Sequence, residues 1–143
     1  MGRWWLVEEV ALADCAVDVE GRDLGDLFET AATALVRLMV DPATVPLTVE
    51  RAVELEAEAL DLLLYDWISE LIFLKDRDRE VFPRCQVRVG GDGPFHLKAQ
   101  LHGGVIDPER TALGADPKAV TFHQFTLERV EGDGWRARLV IDI

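Results

Sequence analysis

The sequence contains few cysteines, and they are not arranged as metal ligands. The two cysteines, Cys15 and Cys85, lie far apart in the 143 residues, without a CxxC pair or a neighbouring histidine. A structural zinc site needs clustered thiolates or imidazoles. We therefore expect no zinc site, and two reduced thiols that pack as small hydrophobic groups.

Long apolar runs are also missing. No stretch approaches the roughly 20 apolar residues of a membrane-spanning helix. The first residues lack the longer apolar segment and the small-residue cleavage site of a secretory signal. A length of 143 residues suits one domain over residues 1–143, since domains usually contain about 100–200 residues. We expect a cytoplasmic protein that does not associate with a membrane.

Positive charge is scarce. Fifteen Lys and Arg against 27 Asp and Glu leave a formal net charge of −12. A protein that holds nucleic acid by itself usually presents a basic stripe that displaces counterions from the phosphates. Because the basic residues are scattered here, we expect no direct nucleic-acid binding. An acidic surface suits cations and basic patches on partner proteins instead. The sequence does not indicate an oligomeric state.

The hydrophobic pattern predicts a single-domain α+β fold. Apolar residues at three- and four-residue steps predict one helix from Leu24 to Met39, after an Asp23 N-cap, and another from Leu60 to about Lys75. Alternating segments, among them residues 45–58, 81–89, 95–101 and 120–130, predict about six strands, mostly in hairpins. Residues 76–79 and 102–117 are predicted loops. We expect a mainly antiparallel sheet with both helices covering one face.

Two acidic residues share one face of the second predicted helix. Asp66 and Glu70 are four residues apart, a spacing at which like charges destabilise an isolated helix by a few tenths of a kcal/mol. The pair suits a metal ion or a basic partner, but solvated acids are common on helix surfaces, and a solvated pair is the preferred alternative.

A second group of polar residues surrounds the predicted loop at residues 102–117. His102 and His123 flank a segment that carries Asp107, Glu109 and Lys118. A histidine, a lysine and acids together can transfer protons. The nucleophile elbow, the phosphate-binding glycine loop and the HExxH motif are all missing from the sequence. Solvated or hydrogen-bonded histidines at a strand end are the alternative.

Acidic groups also occur near both ends of the chain. Asp14 lies where two apolar segments meet, and the sequence ends with Asp142 and Ile143. The last residue contributes its α-carboxylate beside the Asp142 side chain. Oxygen ligands of this kind suit a hard cation such as calcium or magnesium, provided that the fold brings Asp14 to the carboxy terminus.

Four segments, in order along the chain, resemble motifs of the archease family. Residues 62–73 read LLLYDWISELIF, residues 107–110 read DPER, residues 118–123 read KAVTFH, and residues 140–143 read VIDI. The family carries a Leu-Leu-Tyr-Asp-Trp helix signature, the DPE loop, a Lys-Ala-Val-Thr-Tyr-His motif and a similar carboxy terminus. The resemblance spans nearly the whole chain.

The resemblance implies a small metal-binding protein that is not itself an enzyme. Archeases assist the RtcB-type RNA ligase of tRNA splicing by promoting its guanylylation and its repeated turnover. They bind a divalent cation, calcium in the familiar cases, through an early Asp and the carboxy-terminal Asp with its last residue. These ligands correspond to Asp14, Asp142 and Ile143. Contacts with the ligase are first expected at three other motif residues, Asp66, Glu70 and Lys118.

The chain departs from the family pattern at a few polar positions. Ala11 and Leu12 stand where the family has His-Thr, Gly104 replaces a Glu, Thr111 a His, and Phe122 a Tyr. Two other functions therefore stay open. One is a small enzyme or ligand-binding domain that uses His123, Lys118 and Asp107, and the other is a diverged protein-interaction domain.

Overall fold

The described residues form two helices and seven strands. The computed structural model describes residues 2–7, 14–132 and 134–143. The elements in chain order are β1 Arg3–Val7, β2 Asp14–Gly21, α1 Leu24–Met39, β3 Val49–Ala57, α2 Leu60–Asp78, β4 Glu80–Gly91, β5 Phe95–Val105, β6 Ala119–Arg129 and β7 Trp135–Asp142.

The strands form two antiparallel sheets. A four-stranded sheet has the order β1-β2-β7-β6, and a three-stranded sheet has the order β3-β5-β4. The predicted α+β class, the antiparallel pairing and the two helices are confirmed. The seven described strands are divided between two sheets, whereas the sequence suggested about six strands in one. The hairpins are local, but the pairing of β2 with β7 joins opposite ends of the chain and cannot be read from neighbouring residues.

The first helix begins and ends where its sequence predicts. The side chain of Asp23 accepts a hydrogen bond from the Asp26 amide at 2.8 Å, as an N-cap does. The helix ends at Met39, and Val40 is extended. A short 3₁₀ turn, Pro42–Thr44, follows. The strand predicted from residue 45 therefore begins only at Val49.

The second helix is longer than predicted. Its last turn includes residues 76–78 and ends at Arg79, which adopts the left-handed conformation with φ 55°. The prediction of a loop at residues 76–79 was wrong for all but the last residue. The charged residues 76–79 are typical of a solvent-exposed loop, but buried Leu74 and Lys75 hold this turn against the core. The positive charge of Arg77 also stabilises the carboxy terminus of a helix.

One hydrophobic core joins both helices to both sheets. Val17, Leu139 and Ile141 line the inner face of the four-stranded sheet, and Leu97 and Leu101 line that of the three-stranded sheet. Residues two apart on a strand, such as Leu139 and Ile141, face the same side because side chains alternate between the two faces. No described helix is long and apolar enough to cross a membrane.

A buried tryptophan ties the two helices together. Trp67 of α2 is fully buried and donates its indole N–H to the carbonyl oxygen of Phe28 in α1, at 2.9 Å. Because a buried indole N–H needs an acceptor, this bond fixes how the helices approach each other.

Both cysteines are free thiols, as the sequence predicted. Burial raises the pKa of Cys85 to about 12, and the negative charge of Glu29 acts in the same direction. Burial also raises the pKa of Cys15. Since the thiolate is the reactive form, neither side chain is suited to nucleophilic chemistry.

Candidate functional site

The sheet places two of the predicted metal ligands opposite each other. Asp14 is the first residue of β2, and it pairs with Asp142, the last residue of β7. Directly opposed residues on antiparallel strands have Cα atoms about 4.5–5.5 Å apart and side chains on the same face. Both aspartates are partly buried, and Ile143, which carries the terminal carboxylate, follows at once. The structure thus brings the early and the last carboxylates of the chain together.

Lys118 borders this acidic pair through its backbone. Its amide donates a hydrogen bond to the carbonyl oxygen of Asp142 at 2.7 Å. Ala119, the next residue, is the register partner of Asp142 on the other side of β7. Three strands therefore meet at the site, and Lys118 is its exposed basic neighbour.

The donor chemistry at this sheet end fits a hard cation. The groups are carboxylates, which calcium and magnesium prefer. In the same sheet, Thr121 pairs with Val140, two residues from Asp142, and thus lies on the same face. Its buried hydroxyl has no hydrogen-bond partner, although buried polar groups normally have one. A cation with bound water would give this hydroxyl a partner.

The side chains alone supply few ligands. Within residues 2–7, 14–132 and 134–143, no group of three His, Cys, Asp or Glu side chains is placed to hold a metal ion. A cation held by Asp14 and Asp142 would thus need the carboxylate of Ile143, backbone oxygens or water to complete its shell.

A buried lysine fixes the segment that leads into Lys118. The Nζ of Lys75, at the end of α2, lies 2.5 Å from Oδ1 of Asp116, 2.7 Å from the carbonyl oxygen of Pro117 and 2.6 Å from Oδ1 of Asp76. Its side chain is only 9% exposed. Burial by itself lowers the pKa of Lys75, but the hydrogen bonds and negative charges of Asp116 and Asp76 raise it above its usual value. Lys75 thus clamps the start of β6 to α2.

This clamp is only weakly indicated by the local sequence. Lys75 occupies a position on the apolar face of α2, four residues after buried Leu71. A lysine in an apolar stripe is the available signal, but the pattern predicts Lys75 only as the end of the helix.

Asp66 and Glu70 lie on α2. They are not part of the sheet that carries Asp14 and Asp142. Asp66 is exposed, and Glu70 is partly buried one turn later. Asp66 stands between Trp67, which is in the core, and Tyr65, which contacts β6. These two acids accordingly belong to the outer surface of the helix.

Three aromatic rings join α2 to β6. Tyr65 stacks on Phe122 with ring centroids 4.1 Å apart and planes at 4°. Phe125 meets both rings edge-on, at 6.1 and 5.6 Å. The pairing of β6 with β7 shifts register between Thr121 and Thr126, and Gln124 in this bulge has φ 59°. The bulge lets two nearby residues of one strand contact the same helix.

The residues of the alternative enzyme hypothesis lie on different segments of the described chain. His123 is exposed on β6, whereas Asp107 follows β5 and lines a cavity of about 690 Å³ that neither His123 nor Lys118 lines. His102 lies in β5, where the sequence predicted a loop, and its Nδ1 is 3.3 Å from Glu50. The cavity beside Asp107 is thus not shared with His123 or Lys118.

Two departures from the archease motifs lie near the end of β5, Gly104 within the strand and Thr111 in the loop that follows it. The hydroxyl of buried Thr111 accepts a hydrogen bond from the Asp107 amide at 3.0 Å. A Cβ atom on Gly104 would lie 2.2 Å from the carbonyl oxygen of Pro46, so the backbone leaves no space for a side chain there. The departures at Ala11 and Leu12 lie outside the described residues.

Comparison with known proteins identifies relatives along the whole chain. Residues 7–143 match the model of the archease protein family (MTH1598/TM1083). Protein archease of Pyrococcus furiosus is 33% identical over 144 residues, which cover 100% of both chains.

Two solved structures share the fold. The solution structure of Methanobacterium thermoautotrophicum protein 1598 matches with a TM-score of 0.80 and 31% identity, over 98% of each chain. The crystal structure of an archease described as a possible chaperone, from Thermotoga maritima, matches with a TM-score of 0.64 and 19% identity, over 97% of this chain and 98% of that one. With the family match over nearly its whole length and the paired carboxylates in place, the chain belongs to the archease family.

Proposed function

We propose that this chain is a metal-binding accessory protein that activates an RtcB-type RNA ligase in tRNA splicing or RNA repair. It promotes guanylylation of the ligase and its repeated turnover, and it has no catalytic activity of its own. The observation that carries the proposal is the register pair of Asp14 and Asp142 at the carboxy terminus, in a chain of the archease family.

The paired carboxylates give a physical reason for metal binding. Like charges directly opposite each other destabilise an antiparallel pair. Asp14, Asp142 and the α-carboxylate of Ile143 would hold a divalent cation, calcium above all, which would neutralise much of their charge. Binding to the folded state alone stabilises a protein by mass action. The cation would therefore strengthen the contact between β2 and β7 and fix the orientation of the carboxylates.

The charge of the molecule supports a protein partner. A net charge of −12 repels a phosphate backbone and attracts basic protein surfaces. Asp66, Glu70 and Lys118 are the exposed or partly exposed motif residues that we assign to contacts with the ligase. RNA would then be held by the ligase and not by this chain.

The surroundings of Asp107 favour an accessory role over an enzymatic one. General acid–base catalysis needs its groups within hydrogen-bonding reach of one reacting atom. The cavity beside Asp107 is lined by neither of the other two residues. The Thermotoga maritima relative, described as a possible chaperone, is consistent with an accessory role.

The decisive experiment is multiple-turnover RNA sealing with an RtcB-type ligase from the same source, supplied with GTP and manganese. Adding the chain should let each ligase molecule seal many RNA ends and should increase the fraction of guanylylated ligase. An Asp14→Asn/Asp142→Asn variant should lose this effect, whereas Asp92→Asn, an exposed aspartate in the β4–β5 turn, should keep it. No gain in turnover with the unmodified chain would overturn the proposal.

A further inference from the structure

We propose that the aromatic residues Tyr65, Phe122 and Phe125, with Leu62 and Phe73 of α2, form a docking surface for a protein whose matching face has an apolar centre and a cationic rim. We call these five residues the α2–β6 surface. The inference rests on the proposed function, because it takes the RNA ligase as that protein.

The α2–β6 surface exposes large apolar side chains on the outside of the molecule. Phe122 is 51% exposed, Phe73 48% and Leu62 40%. Leu62, Tyr65 and Phe73 are separated by steps that place them on one side of a helix, opposite the side that buries Trp67. Single exposed hydrophobic residues are normal, but Leu62, Tyr65 and the stacked Phe122 form a group, and a group of this kind is typical of an interaction site. Phe73 lies about two turns further along the same side of α2.

The aromatic part of this surface is held in place before any partner arrives. Tyr65 and Phe122 stack at 4.1 Å, and Phe125 supports both rings from the side. Rings fixed in this way lose little conformational freedom on binding, which favours affinity. Aromatic anchors at the centre of an interface often dominate its binding energy.

The charges around the surface select the kind of partner. Asp61 and Asp66 are exposed on the outside of α2, and Glu70 is partly exposed. Of the nearby basic groups, Lys75 is buried against Asp116 and Asp76, and Arg77 packs over the Phe73 ring while it pairs with Asp78. The rim is therefore acidic on the α2 side, while exposed Lys118 and His123 lie on the β6 side. A second copy of this chain, with its own charge of −12, and a phosphate backbone would both be repelled, whereas a cationic protein surface complements it.

The α2–β6 surface lies near the candidate metal centre along β6. β6 begins at Ala119, the register partner of Asp142, and reaches Phe122 three residues later. A strand rises about 3.3 Å per residue, so the stacked rings lie on the order of 10 Å along the strand from the acidic pair. Phe122 contacts α2 on the inner face of the sheet, whereas Asp14 and Asp142 lie on the face of Thr121, so the two sites are neighbours along β6 on opposite faces.

The test measures binding of the full chain to the ligase from the same source by surface plasmon resonance. Phe73→Ser and Phe73→Ser/Phe122→Ser should weaken binding, the double variant at least tenfold, and Asp66→Lys should slow association. Leu47→Ser and Leu113→Ser, which change residues 46% and 57% exposed outside the α2–β6 surface, and Glu54→Lys on the exposed face of β3 are matched controls that should stay within twofold. Affinity should fall as salt is raised, because the acidic rim faces cations.

The outcomes separate this inference from the proposed function. One outcome is that the unmodified chain stimulates the ligase while Phe73→Ser and Phe73→Ser/Phe122→Ser bind the ligase with unchanged affinity. In that case the docking surface is wrong and the accessory role stands. If the unmodified chain neither binds nor stimulates the ligase, both fail. Salt-independent binding would contradict the cationic rim. Phe73→Ser, which leaves the stacked rings intact, keeps the test valid if the double variant unfolds, and thermal melting with calcium titration identifies such a loss.

Discussion

At the scale of single residues, position in the sheet gives ordinary side chains their roles. Asp14 and Asp142 are unremarkable as acids near chain ends, but the register of β2 with β7 makes them direct neighbours. The hydroxyl of Thr121, on the same face, is left without a partner. Opposed carboxylates repel each other, and a cation removes that repulsion.

Loss of one carboxylate should abolish calcium binding. We expect Asp14→Asn to show no binding heat in calorimetry, and deletion of Ile143 to weaken binding by moving the terminal carboxylate. Calcium at 100 times its Kd should stabilise the unmodified chain by about 2.7 kcal/mol, seen as a rise in Tm, and should leave the Tm of Asp14→Asn unchanged. Asp92→Asn is the control. Unchanged affinity in both variants would contradict the site.

At the scale of elements, the contact between α2 and β6 organises the functional end of the molecule. Lys75 holds the segment before β6 at one end of this contact, and the stack of Tyr65 on Phe122 holds the bulge at the other. One of these two contacts lies before Ala119, the register partner of Asp142, and the other lies after it. The orientation of Lys118 therefore depends on the packing of α2.

Removing the charge of Lys75 should loosen this contact. Lys75→Met leaves the carbonyl oxygen of Pro117 without this donor and Asp116 without its partner, at a cost of roughly 1–3 kcal/mol in urea unfolding. Amides of residues 116–119 should exchange faster with deuterium. Because the pKa of Lys75 is raised on folding, its contribution is present below the unfolded pKa and is lost as pH rises through the folded pKa.

The matched control for the lysine clamp is Lys98→Met. Lys98 lies 3.7 Å from Glu54, and both side chains are 75% exposed, so the pair should contribute little. Equal losses of stability in the two variants would show that burial of Lys75 is not important.

At the scale of the whole molecule, ion pairs with arginine join distant parts of an acidic chain. Asp18, 3% exposed on β2, accepts hydrogen bonds from both arms of Arg138 at 2.7 and 2.9 Å, and Arg136 is 3.4 Å away. Hydrogen bonding to Arg138 lowers the pKa of Asp18, and the charges of both arginines add to this effect against the cost of burial. The pair ties β2 to β7, the same contact on which the candidate metal centre depends.

Stability should therefore fall in acid partly through Asp18. A carboxyl group whose pKa is lowered on folding stabilises the fold above its unfolded pKa, and this contribution is lost as pH falls through the folded pKa. Asp18→Asn should cost roughly 1.5–3 kcal/mol at pH 7, and this difference should shrink at an acidic pH below 3.8, the ordinary pKa of the carboxyl group. Urea unfolding at the two pH values measures it. A difference that is the same at both would contradict the ion pair as the cause.

Local interactions determined much of this protein from the sequence alone. The Asp23 cap and the apolar stripe of α1 predicted that helix correctly, because capping and amphipathic periodicity depend on residues a few positions apart. The turn residues likewise predicted the β4–β5 and β6–β7 hairpins. The four archease motifs identified the family without any knowledge of the fold.

The tertiary structure decided what depends on residues distant in the chain. The division into two sheets, the opposition of Asp14 and Asp142, the burial of Lys75 and the stacking of Tyr65 on Phe122 all require contacts between separate elements. Their register and packing are set by the shared core and by long-range strand pairing, which local sequence patterns specify only weakly. The motifs therefore named the acids of the candidate site, but only the pairing of β2 with β7 could place them face to face.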